Sequence, residues 1–215
     1  MFTFDLVLTI IFFVAGFLYL ALIHRLPFLG DFVLKSIPVL CLAILALLFI
    51  PGLTGKLLFA GFLFSAGGDI SLSFSGEKFF LAGLGSFLVA HVLYVIAFAQ
   101  NYLFVVTDLL WIGLWLAFAV GMLVVLFPRL GDMRIPVLVY LSVIFTMVVF
   151  ATMWQGGRPG ILLTGAVLFM LSDAMIAIDR FLKPVSWSKY FIMSTYYAGQ
   201  CLICFAFVPV EYLHF

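Results

Sequence analysis

Long uncharged stretches alternate with short charged segments along almost the whole chain. Two stretches contain a single acidic residue, Asp69 in the third and Asp173 in the seventh. Each stretch is long enough to cross about 30 Å of hydrocarbon as a helix, and none shows the polar/apolar alternation of a membrane β-barrel. The pattern predicts an all-α membrane protein, an eight-transmembrane-helix bundle with spans at 6–23, 36–55, 57–76, 79–99, 109–128, 135–154, 159–178 and about 190–208.

The composition agrees with a membrane protein and excludes several other classes. Of 215 residues, 67% are hydrophobic and only 9% are charged, whereas about a quarter of a soluble domain is charged. A soluble globular enzyme and a disordered chain are therefore excluded. The net charge of +1 provides no field that would hold a nucleic acid. We expect a single transmembrane domain over residues 1–215 in a lipid bilayer, with no nucleic acid and no obligate protein partner.

Basic residues near the ends of the spans predict the orientation of the chain. Most Lys and Arg residues lie in or beside the odd-numbered connections, and the even-numbered ones carry only Lys56 and Arg158. The positive-inside rule then places the odd-numbered connections in the cytoplasm and both termini outside it. We expect a bacterial inner membrane protein whose first apolar run is retained as a span. The residues of the odd-numbered connections are Arg25, Lys35, Lys78, Arg129, Arg134, Arg180, Lys183 and Lys189.

Two short patterns recur at similar places in the two halves of the chain. They predict a weak parallel duplication, with repeat halves 1–104 and 105–215, related by an axis along the membrane normal. The patterns are the tetrapeptide Ile-Pro-Val-Leu at 37–40 and 135–138, and a glycine eight residues before the acidic residue, Gly61 before Asp69 and Gly165 before Asp173.

Ionisable residues inside spans are costly and indicate functional sites. Asp69 and Asp173 each lie about five residues from the predicted cytoplasmic end of their span. At this matched depth the two carboxyl groups can face one another, and like charge in a low dielectric favours one shared proton. The alternative is that each carboxylate is a structural hydrogen-bond acceptor between helices.

Further polar residues in the spans are candidates for substrate or water orientation. His91 and Tyr94 share one helix face, although a lone intramembrane histidine is more often a packing residue. A carboxylate-rich metal site of Asp69, Asp173 and His91 is a minor alternative, and we expect no metal and no cofactor. Lys35, at the start of the second span, either snorkels to the interface or holds a phosphate group. The other candidates are Tyr140, Ser172, Tyr197 and Gln200.

Several sequence motifs follow one another along the chain: 61–72 (GFLFSAGGDISL), Phe79, Phe80, Gly83, Phe87, His91, Tyr94, Tyr140, Met147, 165–173 (GAVLFMLSD), Arg180, Phe181 and 196–203 (YYAGQCLI). Together and in this order, they resemble the motifs of the YhhN-like lysoplasmalogenase family of integral membrane proteins. One departure is at the second span, where the family usually has Lys-Pro and this chain has Lys35 followed by Ser-Ile-Pro. The resemblance covers about residues 35–204.

The resemblance implies hydrolysis of the vinyl ether bond of a lysoplasmalogen to a fatty aldehyde and a glycerophospho headgroup. A vinyl ether hydrolyses after protonation on carbon, which requires a carboxylic acid and a nearby carboxylate, as in glycosidases. We expect Asp69 and Asp173 to share these catalytic roles on a lysophospholipid substrate. His91, Tyr94, Tyr197 and Gln200 then orient water or substrate, and Lys35 contacts the phosphate.

Two other function classes remain open at this stage. Paired halves with intramembrane acids are also typical of a proton-coupled transporter of small molecules or lipids. A lipid-binding or structural membrane protein would need the two acids only for folding. An enzyme acts on lipid in detergent, whereas a transporter requires sealed vesicles and a gradient.

Overall fold

The computed structural model describes residues 2–28 and 30–209, of which residues 2–5 are described by backbone alone. The described chain is 85% helical and contains no β-strand beyond one isolated bridge between Tyr102 and Trp154. This confirms the all-α class. The eight α-helices are α1 (Phe2–Leu22), α2 (Asp31–Phe49), α3 (Gly52–Leu72), α4 (Glu77–Phe98), α5 (Asp108–Leu126), α6 (Arg134–Met153), α7 (Pro159–Phe181) and α8 (Ser188–Phe207).

Seven of the helices found in the described residues are long and apolar enough to cross a membrane. The protein is therefore a multi-pass membrane protein. The remaining helix is α3, which has 21 residues but also carries Lys56, Asp69 and several glycines. A helix of that length rises about 30 Å, so that its length suits a span although its composition is less apolar. Eight helices confirm the predicted bundle elements, and an eighth span at α3 stays a prediction.

The predicted boundary between the second and third spans is wrong. The second span was expected to end at residue 55, but α2 ends at Phe49 and α3 already begins at Gly52. Pro51 lies between them, and Ile50 before it is extended, as a residue that precedes proline usually is. Lys56, read as part of a loop because of its charge, lies within the first turns of α3. Proline, rather than charge, sets this boundary.

The chain divides into two compact units, and each is described separately. The first contains α1 to α4, and the second consists of residues 98–206. In the first unit α2 packs against α1 and α3, and in the second α6 packs against α5 and α7. The Ile-Pro-Val-Leu tetrapeptides lie on α2 and α6, so that they occupy comparable helices. The duplication of the two halves stays a prediction.

Close helix contacts at glycine bring the functional helices together within each unit. A Cβ atom on Gly61 of α3 would overlap the ring of Tyr94 on α4. In the second unit, a Cβ on Gly165 of α7 would lie 2.9 Å from the carbonyl oxygen of Gly199 on α8. Small residues permit this approach of helices in membranes, where close packing replaces the hydrophobic effect as a driving force. The two glycines therefore fix helices that carry Asp69 and Asp173.

Candidate functional site

The first unit buries an ion pair between α2 and α3. The Nζ atom of Lys35 lies 3.5 Å from Oδ1 of Asp69 and donates a hydrogen bond of 3.3 Å to the main-chain oxygen of Asp69. Asp69 is 2% exposed and Lys35 is 8% exposed. Lys35 was predicted at the start of its span, but α2 begins at Asp31, one turn earlier. The ammonium group therefore lies beside the carboxylate in the protein interior.

A second polar group of this unit lies between α3 and α4. The hydroxyl groups of Ser65 and Tyr94 are hydrogen-bonded at 3.3 Å. His91 is fully buried, and its Nδ1 atom lies 2.6 Å from the main-chain oxygen of Phe87. Because a carbonyl oxygen can only accept, Nδ1 carries the proton of this hydrogen bond. The sequence placed His91 and Tyr94 on one helix face, and the structure buries both.

The second unit brings Tyr140 of α6 to Asp173 of α7. The Tyr140 hydroxyl donates a hydrogen bond of 2.9 Å to Oδ2 of Asp173, and both side chains are buried. Both residues were candidates from the sequence, but their contact was not predicted. The phenol donor holds one oxygen of this buried carboxyl group in a defined position.

The remaining candidates of the second unit are buried on α7 and α8. The Ser172 hydroxyl donates to the main-chain oxygen of Ile192 on α8 at 3.1 Å, which is a bond between helices. Tyr197 and Gln200 are both buried on α8, one turn apart. The structure therefore places these three residues in the helix pair that carries Asp173, and their predicted contact with substrate stays a prediction.

The two acidic residues do not lie at matched distances from their helix ends. Asp69 lies in the last turn of α3, which ends at Leu72, whereas Asp173 lies more than two turns before Phe181, where α7 ends. The prediction that each lies about five residues from the cytoplasmic end of its span stays a prediction, because a helix can continue beyond the membrane surface. The two distances differ because α3 ends at Leu72, before a short connection to α4 that contains Gly76 with a positive φ of 116°, whereas α7 continues through Asp179 and Arg180.

Sequence reasoning missed two residues of the first unit. Ser65 bonds Tyr94 and lies one turn before Asp69, a spacing of four that could have shown it. Tyr19 of α1 is buried and lies within electrostatic range of Asp69. A lone tyrosine in an apolar helix provides no comparable signal, since tyrosine is common in the core.

Metal ligation finds no support among the residues that the structure describes. No group of three or more His, Cys, Asp or Glu side chains in 2–28 and 30–209 is arranged to hold a metal ion. These buried polar groups are suited to proton transfer. The first unit has a carboxylate beside an ammonium group, and the second unit has a carboxyl group beside a phenol.

Over most of its length, the chain is similar to one family model and to proteins named lysoplasmalogenase. Residues 30–207 match the model of the YhhN family. Lysoplasmalogenase TMEM86A of Bos taurus is 35% identical over 201 residues, which cover 83% of this chain and 80% of that protein. Lysoplasmalogenase TMEM86B of Homo sapiens is 37% identical over 176 residues, which cover 79% and 71%. Lysoplasmalogenase TMEM86A of Homo sapiens is 30% identical, with coverage of 83% and 80%. No solved structure matches the chain.

Proposed function

Since this chain belongs to the YhhN family, we propose that it is a membrane hydrolase that cleaves the vinyl ether bond of lysoplasmalogens. The products are a fatty aldehyde and a glycerophospho-ethanolamine or -choline. The observation that carries the proposal is the similarity to lysoplasmalogenases at 30–37% identity over most of both chains. The buried carboxyl groups of Asp69 and Asp173 support it, because the reaction requires an acid and a carboxylate.

The hydrolysis of a vinyl ether is a sequence of proton transfers. A carboxylic acid transfers its proton to the β-carbon, which forms a C–H bond and leaves an oxocarbenium ion. Water then forms a C–O bond to the cationic carbon and gives a proton to a carboxylate. The hemiacetal collapses when its bond to the glyceryl oxygen breaks. That oxygen takes a proton, and the hydroxyl group loses one as the aldehyde forms. One water molecule is consumed, and no electrons are exchanged.

Asp69 and Asp173 are the catalytic residues of this proposal. A buried carboxyl group is suited to remain protonated at neutral pH and act as an acid, and a second, ionised carboxylate stabilises the cation or activates water. His91, Tyr94, Tyr197 and Gln200 orient water or substrate in their respective units. The apolar chain of the substrate is expected to lie against the aliphatic and aromatic side chains of the helices.

The proposed location is a bacterial inner membrane with both termini outside the cytoplasm. The support is the excess of Lys and Arg in the odd-numbered connections; the terminal residues themselves lie outside the described part of the chain. Labelling of cysteines introduced at Lys56 and Lys183 tests this orientation. An impermeant reagent added to intact cells should label the first position and leave the second unlabelled, and the reverse result would contradict the orientation.

The proposed reaction is tested with two substrates that differ in one double bond. The purified protein in detergent should release aldehyde from a 1-alkenyl lysophospholipid. It should leave the matched 1-alkyl ether intact, since that ether has no carbon that can be protonated to an oxocarbenium ion. No release from the alkenyl lipid by folded protein would contradict the proposal, and cleavage of both ethers would contradict the mechanism.

Deuterium incorporation tests the protonation step separately. When the reaction runs in heavy water, the carbon next to the aldehyde group should carry one deuterium that the substrate lacked. An aldehyde without deuterium at that carbon, in a sample analysed before exchange with solvent, would show that the β-carbon is not protonated.

A further inference from the structure

The second unit carries an excess of exposed basic side chains at one end. This end, which we call the basic end, consists of two segments. They are the connection between α5 and α6 (127–134) and the stretch from the last turn of α7 to the first turn of α8 (179–190). Their acidic residues are Asp132 and Asp179, and Asp179 accepts a hydrogen bond from the main-chain nitrogen of Val185. Their basic residues are more numerous and all exposed: Arg129, Arg134, Arg180, Lys183 and Lys189.

The odd-numbered connections of the first unit are balanced in charge. Arg25 and Lys78 are exposed there, and Asp31 and Glu77 lie in the same segments, 25–31 and 77–78. Lys35, the next basic residue along α2, is buried. The positive-inside rule applies to all cytoplasmic connections alike, so that it does not account for a positive excess in one unit.

A packed backbone holds the basic end in one arrangement. The connection between α5 and α6 folds into two short 3-10 helices, Phe127–Arg129 and Gly131–Met133. Arg129 and Lys183 are the sequence neighbours of Leu130 and Leu182, which pack in one hydrophobic cluster, so that the cluster brings both cations to the same end. Charged groups on an ordered backbone lose less conformational entropy when a ligand binds. The cluster also includes Leu126, Met133, Val137 and Phe181.

Exposed aromatic side chains accompany these cations. The guanidinium carbon of Arg134 lies 4.9 Å from the ring centre of Phe127, and Phe127, Trp187 and Tyr190 are all exposed. Trp and Tyr are enriched at the level of the lipid headgroups, and α5 to α8 are each long and apolar enough to span a membrane. Cations and aromatic rings at the ends of such helices suit a phospholipid, which has an anionic headgroup and apolar chains, better than a small soluble anion.

We propose that the basic end of the second unit binds the headgroups of anionic phospholipids. Guanidinium and ammonium groups form charge-assisted hydrogen bonds with phosphate oxygens, and a lipid of net negative charge complements the excess of cations. The proposed orientation places this end at the cytoplasmic leaflet, whose surface is negative. The lipid is bound as a ligand and is not consumed, so that its binding does not depend on the vinyl ether reaction.

Quenching of Trp187 fluorescence by lipids with brominated chains measures this binding. In each background, the Trp187 signal is the part of the fluorescence that Trp187→Phe removes. Brominated phosphatidylglycerol should quench this signal at a lower concentration than brominated phosphatidylcholine in the same detergent. Arg129→Gln/Lys183→Gln should raise the half-quenching concentration of phosphatidylglycerol about 5- to 25-fold, since each cation near an anionic lipid contributes about fivefold. The matched control Arg25→Gln/Lys78→Gln should leave it unchanged. Equal concentrations for the two lipids, or no change in Arg129→Gln/Lys183→Gln, would overturn the proposal.

Thermal unfolding of the wild type distinguishes a bound lipid from a bound soluble anion. A ligand that binds the folded protein raises the midpoint temperature of unfolding, so that phosphatidylglycerol should raise it more than phosphatidylcholine with the same chains. Glycerol phosphate at the same ionic strength should give no comparable rise, and about 1 M sodium chloride should remove most of the difference between the two lipids. An equal rise with glycerol phosphate and phosphatidylglycerol would contradict lipid binding and indicate a soluble phosphate ligand. Both measurements are made without turnover, so that failure of the proposed reaction would not affect them.

Discussion

At the scale of single residues, two buried aspartates have partners of different chemical type. Asp69 lies beside the ammonium group of Lys35, whereas Asp173 accepts a hydrogen bond from the phenol of Tyr140. A cation favours the ionised carboxyl group, and a neutral donor fixes its orientation. These contacts hold each carboxyl group in a defined position within its own unit.

Loss of the Tyr140 hydroxyl should slow the chemical step. Tyr140→Phe removes the donor to Asp173 and is expected to lower kcat about 10- to 100-fold with little change in KM, as for a hydrogen bond to a charged or acidic group. Tyr190→Phe, at a side chain that is 44% exposed, is the control. Steady-state kinetics of the purified variants would contradict this role if Tyr140→Phe kept the kcat of the control.

The sequence identified most of the site residues but not their contacts. Asp69, His91 and Asp173 could be found because an ionisable residue in an apolar run is costly and therefore conspicuous. Their partners could not, because the pairing of Lys35 with Asp69 depends on how α2 packs on α3. Tyr19 could not be identified from the sequence for the same reason, because its proximity to Asp69 depends on how the helices pack.

At the scale of helices, glycine determines how closely the functional elements approach. On α7 and α8, Gly165 and Gly199 face one another so closely that a Cβ on either would meet backbone atoms within 3.0 Å. Backbone cannot move aside as a flexible side chain can. The contact therefore sets the distance between the helix of Asp173 and the helix of Gln200.

Alanine at Gly165 should destabilise the protein, and alanine at Gly113 should not. The Cβ of Gly165→Ala would lie 2.9 Å from Gly199 O and Ile203 N, and such overpacking costs about 1–3 kcal/mol. Gly113 of α5 has nothing within 4 Å of the same position, so that Gly113→Ala is the matched control. Thermal unfolding in detergent measures both. If the two variants unfolded at the same midpoint temperature, the close contact of Gly165 with α8 would not be needed for stability.

Helix boundaries were the least predictable feature of the fold. The helix type and number followed from the apolar runs, but charge was a poor marker of where a helix ends. Lys56 lies inside α3, and α7 continues through Asp179 and Arg180. Charged residues in the end turns of a membrane helix reach the interface and do not require the helix to stop.

At the scale of the whole molecule, each of the two units contains a buried aspartate within an apolar helix, Asp69 in the first and Asp173 in the second. Such an arrangement also suits a carrier, in which intramembrane acids bind protons during transport. The similarity to lysoplasmalogenases favours an enzyme, for which a gradient across the membrane has no role.

Turnover should therefore be independent of membrane integrity and of added metal. The protein in detergent is expected to release aldehyde at the rate found in proteoliposomes, with or without a proton gradient, and a chelator should leave the rate unchanged. The measurement is the rate of aldehyde release in detergent, in proteoliposomes with a proton gradient and in proteoliposomes without one. A rate that required a gradient would favour transport, and inhibition by chelator that a divalent metal reverses would favour a metal site.

The central claim is that two buried carboxyl groups hydrolyse a vinyl ether, and aldehyde release by carboxamide variants tests it most directly. Asp69→Asn and Asp173→Asn retain a side chain of the same shape, and the exposed Asp132→Asn is the control. The account predicts full activity in the wild type and the control, with losses of about 100- to 10,000-fold in each of the other two variants while they remain folded. Activity close to that of the wild type in either Asp69→Asn or Asp173→Asn would contradict it.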